Sequence, residues 1–254
     1  MNDIAFRKVV YELPNMDEVT IKKNIIYDKS KPDELNFDLY LPNHPNKRLP
    51  AVIFIFGFSD SLFGKGLKQM EQYKCWAKLF ALKGIAAITY SYTNPEEDIQ
   101  KLISYLSVKA YSLGIDITNV GIWACSGNVP LGLSILVKNK FKCAAFLYGY
   151  MIDSAKVNYT KNASLQFGFV NPDSTQLLSK IETPIFLVRA GKDQMPNINE
   201  TIDLFVLKSL ENNLVINLIN YSSGEHAFDL YNDNAVSREI IKKVIEFYLF
   251  HLQR

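Results

Sequence analysis

Apolar residues follow two different patterns before and after about residue 50. Residues 18–26 and 35–41 carry apolar side chains mostly at alternate positions. This alternation is typical of strands that turn one face towards a core. The segment 28–33 between them is rich in residues that favour turns. The pattern therefore predicts that the chain opens with two antiparallel strands.

The second pattern consists of short apolar runs that alternate with helical segments. A run without polar interruptions is typical of a parallel strand that is covered on both faces. The predicted strands are 51–56, 85–90, 120–123, 143–147, 185–188 and 214–219, and the predicted helices are 67–83, 96–113, 130–137, 199–210 and 235–252. The alternation predicts one α/β domain over residues 1–254, with a mostly parallel, doubly wound sheet of about eight strands and helices on both faces.

Residues 151–180 interrupt this regular alternation. The segment contains Tyr159, Phe167, Phe169 and the turn sequence 171–174, without a clear strand or helix period. Two interpretations remain open. The segment forms either a small cap over a pocket or a long connection between two elements of the sheet.

Composition excludes several classes of partner. Lysine and arginine total 28 and acidic residues total 26, so the net charge of +2 provides no drive towards nucleic acid or an anionic membrane. We find no run that approaches the ~18 apolar residues of a membrane span and no signal peptide. Cys75, Cys125 and Cys143 are an odd set without metal-ligand spacing. We therefore expect a cytoplasmic protein that holds no metal.

A serine lies where a predicted strand turns sharply into a helix. The apolar run that ends at Ala124 and Cys125 is followed by Ser126, Gly127 and Asn128, and helical character begins at residue 130. This geometry is typical of a nucleophile elbow, although alanine and asparagine stand where glycines are usual. Ser126 is therefore the candidate nucleophile.

A serine hydroxyl needs a base within hydrogen-bond reach. The chain has three histidines. His44 lies in a proline-flanked loop, and His251 lies on the last predicted helix. His226 follows the last predicted strand in a glycine-containing loop, and such loops form the crevice of open α/β sheets. Position and elimination both favour His226 as the base.

The base in turn needs a group that fixes its orientation. Asp193 follows the predicted strand 185–188 and a glycine, so its carboxylate is the candidate for the second N–H of the histidine. Asp173 and Glu182 do not directly follow a strand. Asp229 lies only three residues after the histidine, which makes it the weaker choice.

A tetrahedral intermediate requires donors for its oxyanion. The first expected donor is the backbone N–H of Gly127, directly after the candidate nucleophile. The second should come from the loop after strand 51–56, where we favour the N–H of Phe58 over that of the neighbouring Gly57.

These features together resemble the α/β-hydrolase superfamily and, within it, the dienelactone hydrolase-like and small serine esterase branch. The resemblance extends from about residue 20 to the C-terminus. It is carried by the sequences IFGF at 55–58, ACSGN at 124–128, VRAGKD at 188–193 and GEHAFD at 224–229. The triad also occurs in the order serine, aspartate, histidine, as in α/β-hydrolases. Dienelactone hydrolases have a cysteine at the nucleophile position, where this chain has serine.

The resemblance implies a cofactor-free serine hydrolase that cleaves a small carboxylic ester through an acyl-enzyme. The expected substrate pocket is apolar and includes Phe63, Tyr148, Tyr150 and Met151. A thioesterase or peptidase with the same triad is one alternative. A catalytically silent binding protein with this fold is another.

Overall fold

The computed structural model describes residues 4–30, 34–43, 45, 47–57, 66–172 and 175–253, with the backbone alone at 175–177. Within these ranges the chain forms eight strands and seven α-helices. The strands are β1 (Thr20–Asp28), β2 (Leu35–Leu41), β3 (Leu49–Ile55), β4 (Ala86–Tyr90), β5 (Ile115–Cys125), β6 (Cys143–Leu147), β7 (Ile185–Ala190) and β8 (Ile216–Tyr221). The helices are α1 (Glu71–Leu82), α2 (Pro95–Leu113), α3 (Val129–Lys138), α4 (Tyr159–Phe167), α5 (Ile198–Glu211), α6 (Phe228–Tyr231) and α7 (Ala235–Leu252).

All eight strands belong to one sheet, in the order β1-β2-β4-β3-β5-β6-β7-β8. β2 is antiparallel to both β1 and β4, and every other neighbouring pair is parallel. The antiparallel opening and the mostly parallel, doubly wound sheet that the sequence predicts are both confirmed.

Helices cover both faces of the sheet. Since neighbouring residues of a strand point to opposite sides, they contact different helices. Trp123 of β5 packs against Trp76 of α1, with ring centroids 5.3 Å apart. The next residue, Ala124, faces α3, where a Cβ atom built on Gly132 would lie 3.4 Å from its side chain. Tyr248 of α7 contacts the α1 side, with its ring 4.9 Å from Phe80. The core therefore forms two apolar layers with the sheet between them.

Local signals determine both ends of helix α2. The Asn94 side chain accepts a hydrogen bond from the Glu97 N–H, and Pro95 occupies the first turn. Gly114 ends the helix with a φ of 81°, a conformation that suits glycine. The sequence therefore predicts this helix to within a residue.

The structure differs most from the predicted elements in three places. The helix expected over 67–83 is a short 3₁₀ turn at Leu67–Gln69 followed by α1, because Met70 has an extended backbone with ψ of 137°. β5 begins at Ile115, five residues before the predicted strand, because Ile115 pairs with Leu49 of β3 before an irregularity in the register. The segment 151–180 contains helix α4, which the sequence pattern did not predict.

The parallel strands β5, β7 and β8 bring their carboxyl ends to the same edge of the sheet. Ser126 directly follows β5, Asp193 lies three residues after β7, and His226 lies five residues after β8. In open α/β sheets this edge forms the ligand crevice. Among the described residues, no helix is long and apolar enough to cross a membrane.

Candidate active site

The turn after β5 holds a serine in a backbone conformation that serine rarely adopts. β5 ends at Cys125, and Ser126 has a φ of 54°. A positive φ at a residue other than glycine costs on the order of 1–3 kcal/mol and persists only where the surroundings impose it. Cβ atoms built on Gly57 and Gly149 would lie 2.9 Å from the Ser126 Cβ and carbonyl oxygen, respectively. Glycines at both positions therefore allow the neighbouring loops to approach the turn.

Hydrogen bonds join the three predicted triad residues. Ser126 Oγ lies 2.9 Å from His226 Nε2, across a separation of 100 residues in sequence. His226 Nδ1 lies 2.7 Å from Asp193 Oδ2. A carboxylate can only accept hydrogen bonds, so Nδ1 carries a proton and, in the neutral ring, Nε2 is free to accept the serine hydroxyl proton.

Burial separates the roles of the acid and the base. The Asp193 side chain is 1% exposed, whereas the His226 side chain is 26% exposed. Asp193 Oδ1 also accepts a hydrogen bond of 2.9 Å from the Met195 N–H, which fixes the orientation of the carboxylate. The imidazole can therefore exchange protons at the surface while its orienting group stays inside.

The other candidates for base and acid lie elsewhere. The His251 ring packs against Phe247 on α7, with centroids 4.5 Å apart. Glu182 is exposed and borders a surface cavity of about 670 Å³ lined by residues 136–142. His44 and Asp173 lie outside the described residues.

Asp229 is the centre of a second, fully buried polar network. It accepts hydrogen bonds from Tyr148 Oη at 2.7 Å, Trp76 Nε1 at 2.8 Å and Gln72 Nε2 at 3.0 Å. Burial raises the pKa of this carboxyl above 3.8, although the three donors oppose the shift. The sequence indicated Asp229 only as a weaker choice for the triad and gave no sign of this network, whose members lie up to 157 residues apart.

Tyr148 connects this buried network to the candidate base. Its ring packs edge-on against the His226 ring, with centroids 5.1 Å apart. Its backbone has a φ of 37°, which is an unfavourable conformation for a bulky residue. The hydrogen bond to Asp229 holds the other end of the side chain. Tyr148 therefore forms part of the fixed surroundings of the imidazole.

Cys125 lies beside the hydroxyl group of Tyr73 in the protein interior. The Cys125 Sγ and Tyr73 Oη atoms are 3.9 Å apart. Burial is the main cause that raises the pKa of the thiol far above its usual range, and the charge of Asp229 adds to it. The thiolate is therefore disfavoured, which makes this cysteine a poor nucleophile.

The backbone groups expected at the oxyanion site have protein partners. The Gly127 N–H donates a hydrogen bond of 3.1 Å to the Gly57 carbonyl oxygen. The Gly57 N–H donates a hydrogen bond of 2.8 Å to Tyr73 Oη. Phe58, the favoured second donor, lies outside the described residues.

The residues predicted to line the substrate pocket have different surroundings. Tyr148 contacts the base, and Tyr150 stacks on Phe169 with centroids 5.2 Å apart. Met151 is 1% exposed and belongs to the main core, so the described structure offers no pocket surface there. Phe63 lies outside the described residues. Among the described residues, no cluster of histidine, cysteine, aspartate and glutamate could hold a metal ion.

Comparison with protein-family models and with curated protein sequences gives no match. Solved structures do match. A bacterial heroin esterase is 16% identical, with 96% of this chain and 88% of that chain covered and a TM-score of 0.75. Carboxyl esterase 2 of the mycorrhizal fungus Tuber melanosporum is 17% identical, with coverages of 95% and 90% and a TM-score of 0.72. Esterase 2 of Thermogutta terrifontis is 17% identical, with coverages of 93% and 96% and a TM-score of 0.68. The chain therefore has the α/β-hydrolase fold.

Proposed function

We propose that the chain is a serine hydrolase that cleaves a small carboxylic ester, with Ser126 as nucleophile, His226 as base and Asp193 as orienting acid. The hydrogen bonds of 2.9 Å and 2.7 Å that join these three side chains carry the proposal. The three groups have the types, order and distances that nucleophilic serine catalysis requires. Structures named as esterases that share the fold support an ester as the substrate bond.

In the first step, His226 Nε2 removes the Ser126 proton while Oγ attacks the ester carbonyl carbon. The imidazolium that forms is stabilised by the Asp193 carboxylate at Nδ1. His226 then donates its proton to the leaving alcohol as the carbon–oxygen bond breaks. In the second step, water attacks the acyl-enzyme with the same base, and the acid is released.

The oxyanion is stabilised by backbone N–H groups in this proposal. We assign the first to Gly127, whose N–H must exchange the Gly57 carbonyl for the substrate oxygen. The second belongs to Phe58, because the neighbouring Gly57 N–H is bound to Tyr73. The Gly57 carbonyl oxygen must move away from the Gly127 N–H for this donor to bind the oxyanion. A structure of a phosphonylated enzyme tests this exchange, since the phosphoryl oxygen should lie about 3 Å from the Gly127 nitrogen.

Serine rather than cysteine is the nucleophile in this assignment. Cys125 lies next to Ser126, but burial raises the pKa of its thiol, and its neighbour in the interior is Tyr73. The proposed enzyme therefore resembles small serine esterases rather than dienelactone hydrolases proper. The three cysteines are unpaired and buried, which supports our assignment to a reducing compartment such as the cytoplasm.

The test is reaction with a fluorophosphonate, which labels activated serines, followed by mass spectrometry of the adduct. We expect one adduct at Ser126 in the wild-type protein and a loss of labelling in S126A. Labelling should also fall by several orders of magnitude in H226A, because the base is removed. H251A is the matched control and should label at the wild-type rate, since this histidine packs on α7.

Each result separates the proposal from its alternatives. A protein that gives no adduct at Ser126 supports the catalytically silent binding protein instead. If the adduct forms, turnover of p-nitrophenyl esters, thioesters and aminoacyl amides distinguishes the three hydrolase classes. A thioester or amide that is cleaved faster than every ester would contradict the proposed substrate class.

A further inference from the structure

The Tyr148 ring is a surface against which the ring of the candidate base packs. The centroids of the Tyr148 and His226 rings are 5.1 Å apart, in an edge-to-face arrangement with an interplanar angle of 68°. Tyr148 is 1% exposed, whereas the His226 side chain is 26% exposed. The imidazole therefore has buried protein on the side of Tyr148 and solvent elsewhere.

Several contacts hold Tyr148 in place. Its hydroxyl group donates a hydrogen bond of 2.7 Å to Asp229 Oδ1 and accepts one of 2.9 Å from Gln72 Nε2. Its backbone N–H donates a hydrogen bond of 2.8 Å to the Val188 carbonyl oxygen. The Phe228 ring packs on it at an interplanar angle of 87°. The tyrosine ring cannot move aside without breaking buried hydrogen bonds, and buried polar groups are costly to leave unpaired.

The two hydrogen bonds of the imidazole do not last equally through the proposed reaction. The bond of 2.7 Å from Nδ1 to Asp193 is present in both steps. The bond of 2.9 Å between Nε2 and Ser126 Oγ needs the hydroxyl proton, which has left with the alcohol once the acyl-enzyme has formed. His226 then keeps the hydrogen bond at Nδ1 alone. The torsion about its Cβ–Cγ bond is soft, so the ring can turn towards solvent unless packing prevents it.

We propose that Tyr148 is a positioning residue that keeps the His226 ring in place in the acyl-enzyme, so that deacylation depends on it more than acylation does. This inference rests on the proposed function, because it concerns the second step at the same site. In that step water attacks the acyl carbon and Nε2 takes the water proton. The proton passes to Ser126 Oγ as the bond between Oγ and the acyl carbon breaks. Nε2 must therefore face the acyl group without help from the serine hydroxyl.

The test measures the two steps separately with p-nitrophenyl acetate. The value of kcat/KM reports acylation, because it covers the reaction only as far as release of p-nitrophenol. The deacylation rate constant is kcat divided by the fraction of enzyme that acid quenching and mass spectrometry find as acetyl-enzyme in the steady state. Both quantities are expressed per serine that the fluorophosphonate labels, so a loss of folded protein does not enter either of them.

We expect Y148L, which removes the aromatic ring, to lower the deacylation rate constant by about tenfold and kcat/KM by less than about threefold. The physical reason is that a misplaced base loses part of its contribution, and the serine hydroxyl aligns the ring only in the first step. The acetyl-enzyme should accumulate accordingly. Y148F keeps the ring and loses its hydrogen bonds to Asp229 and Gln72, so its deacylation rate constant should fall by only about twofold to threefold.

Y248L is the matched control for removal of a buried tyrosine ring. Tyr248 is completely buried, and its ring packs on Phe80 on the α1 side of the sheet, with centroids 4.9 Å apart. Its loss lowers the stability of the core without removing a contact of His226. We therefore expect the ratio of the deacylation rate constant to kcat/KM to remain at the wild-type value in Y248L.

The outcomes separate this inference from the proposed function. Ser126 labelling with an equal loss of acylation and deacylation in Y148L, or with no loss of deacylation, overturns the inference and leaves the esterase proposal standing. A change of the ratio in Y248L as large as that in Y148L also overturns it. If Y148L does not fold, Y148F decides, because an unchanged ratio there contradicts the role of the anchored ring. Absence of both labelling and ester hydrolysis in the wild-type protein overturns the two proposals together.

Discussion

Two buried aspartates near the elbow have similar burial and different partners. The side chain of Asp193 is 1% exposed, and Asp229 is completely buried. Asp193 binds His226, whose ring can gain a proton. Asp229 binds Tyr148, Trp76 and Gln72. None of these three donors carries a charge at neutral pH.

The partner, rather than burial, decides what a buried carboxylate can do. A carboxylate that faces an imidazole stabilises the charge that appears during acyl transfer. A carboxylate that accepts hydrogen bonds from three neutral donors has no developing charge to stabilise. Its role is to fix the positions of those donors. The neighbours Cys125 and Ser126 repeat the contrast, because the thiol has the Tyr73 hydroxyl beside it and the serine hydroxyl faces the base.

The largest expected effect is on catalysis at Asp193. In D193N the amide nitrogen cannot accept the Nδ1 proton, so the histidine is held in the wrong tautomer and kcat should fall by about 10⁴-fold. Steady-state kinetics with p-nitrophenyl acetate measure this. D229N is the matched control, and its kcat per labelled serine should fall by less than about tenfold. Similar losses in the two variants would remove the distinction between the aspartates.

The next effect is on stability at Asp229. D229A leaves three buried donors without an acceptor, so the free energy of unfolding should fall by about 3–5 kcal/mol. Urea unfolding followed by fluorescence measures the loss. Asp203, which is 58% exposed in its ion pair with Arg189, provides the control. D203A should cost about 0–1 kcal/mol, and an equal cost at both sites would argue against the buried network.

A smaller effect concerns the pH dependence of stability. Burial raises the pKa of Asp229 above 3.8, so the folded protein binds this proton more readily than the unfolded chain. The stabilisation is present in full below the unfolded pKa and is lost as pH rises through the folded pKa. Relative to D229N, the wild-type free energy of unfolding should therefore decline above pH 3.8, by at most about 1.4 kcal/mol per pH unit. A difference that increases with pH contradicts this.

The smallest effect is expected at Cys125. Because its thiol is buried with a raised pKa, C125A should change kcat by less than about threefold. Native protein should also resist thiol reagents at this position while a fluorophosphonate labels Ser126. C143A is the control for removal of a buried thiol. Loss of activity in C125A alone would place the cysteine in the reaction.

Local features of the sequence predicted much of the fold. Helix α7 extends over the predicted residues Ala235–Leu252, and helix α2 has the predicted asparagine and glycine at its ends. Such signals depend on residues three or four positions apart, so they can be read from the chain directly. The break at Met70 was missed, because residues 67–72 contain no proline or glycine to mark it.

The sequence by itself determined which residues could form a site. The apolar runs located the strand ends, and only three histidines were available as the base. Parallel strands bring their carboxyl ends to one edge, so Ser126, Asp193 and His226 were expected together.

Only the tertiary structure decided which side chains touch. In the folded protein His226 contacts Asp193, 33 residues away, and Asp229 accepts hydrogen bonds from donors up to 157 residues away. The Asn128 side chain has two backbone partners in the structure, whereas the sequence showed only that an asparagine stands where a glycine is usual. The physical reason is that periodicity and capping are local, whereas a buried polar group finds its partners through the packing of the whole sheet.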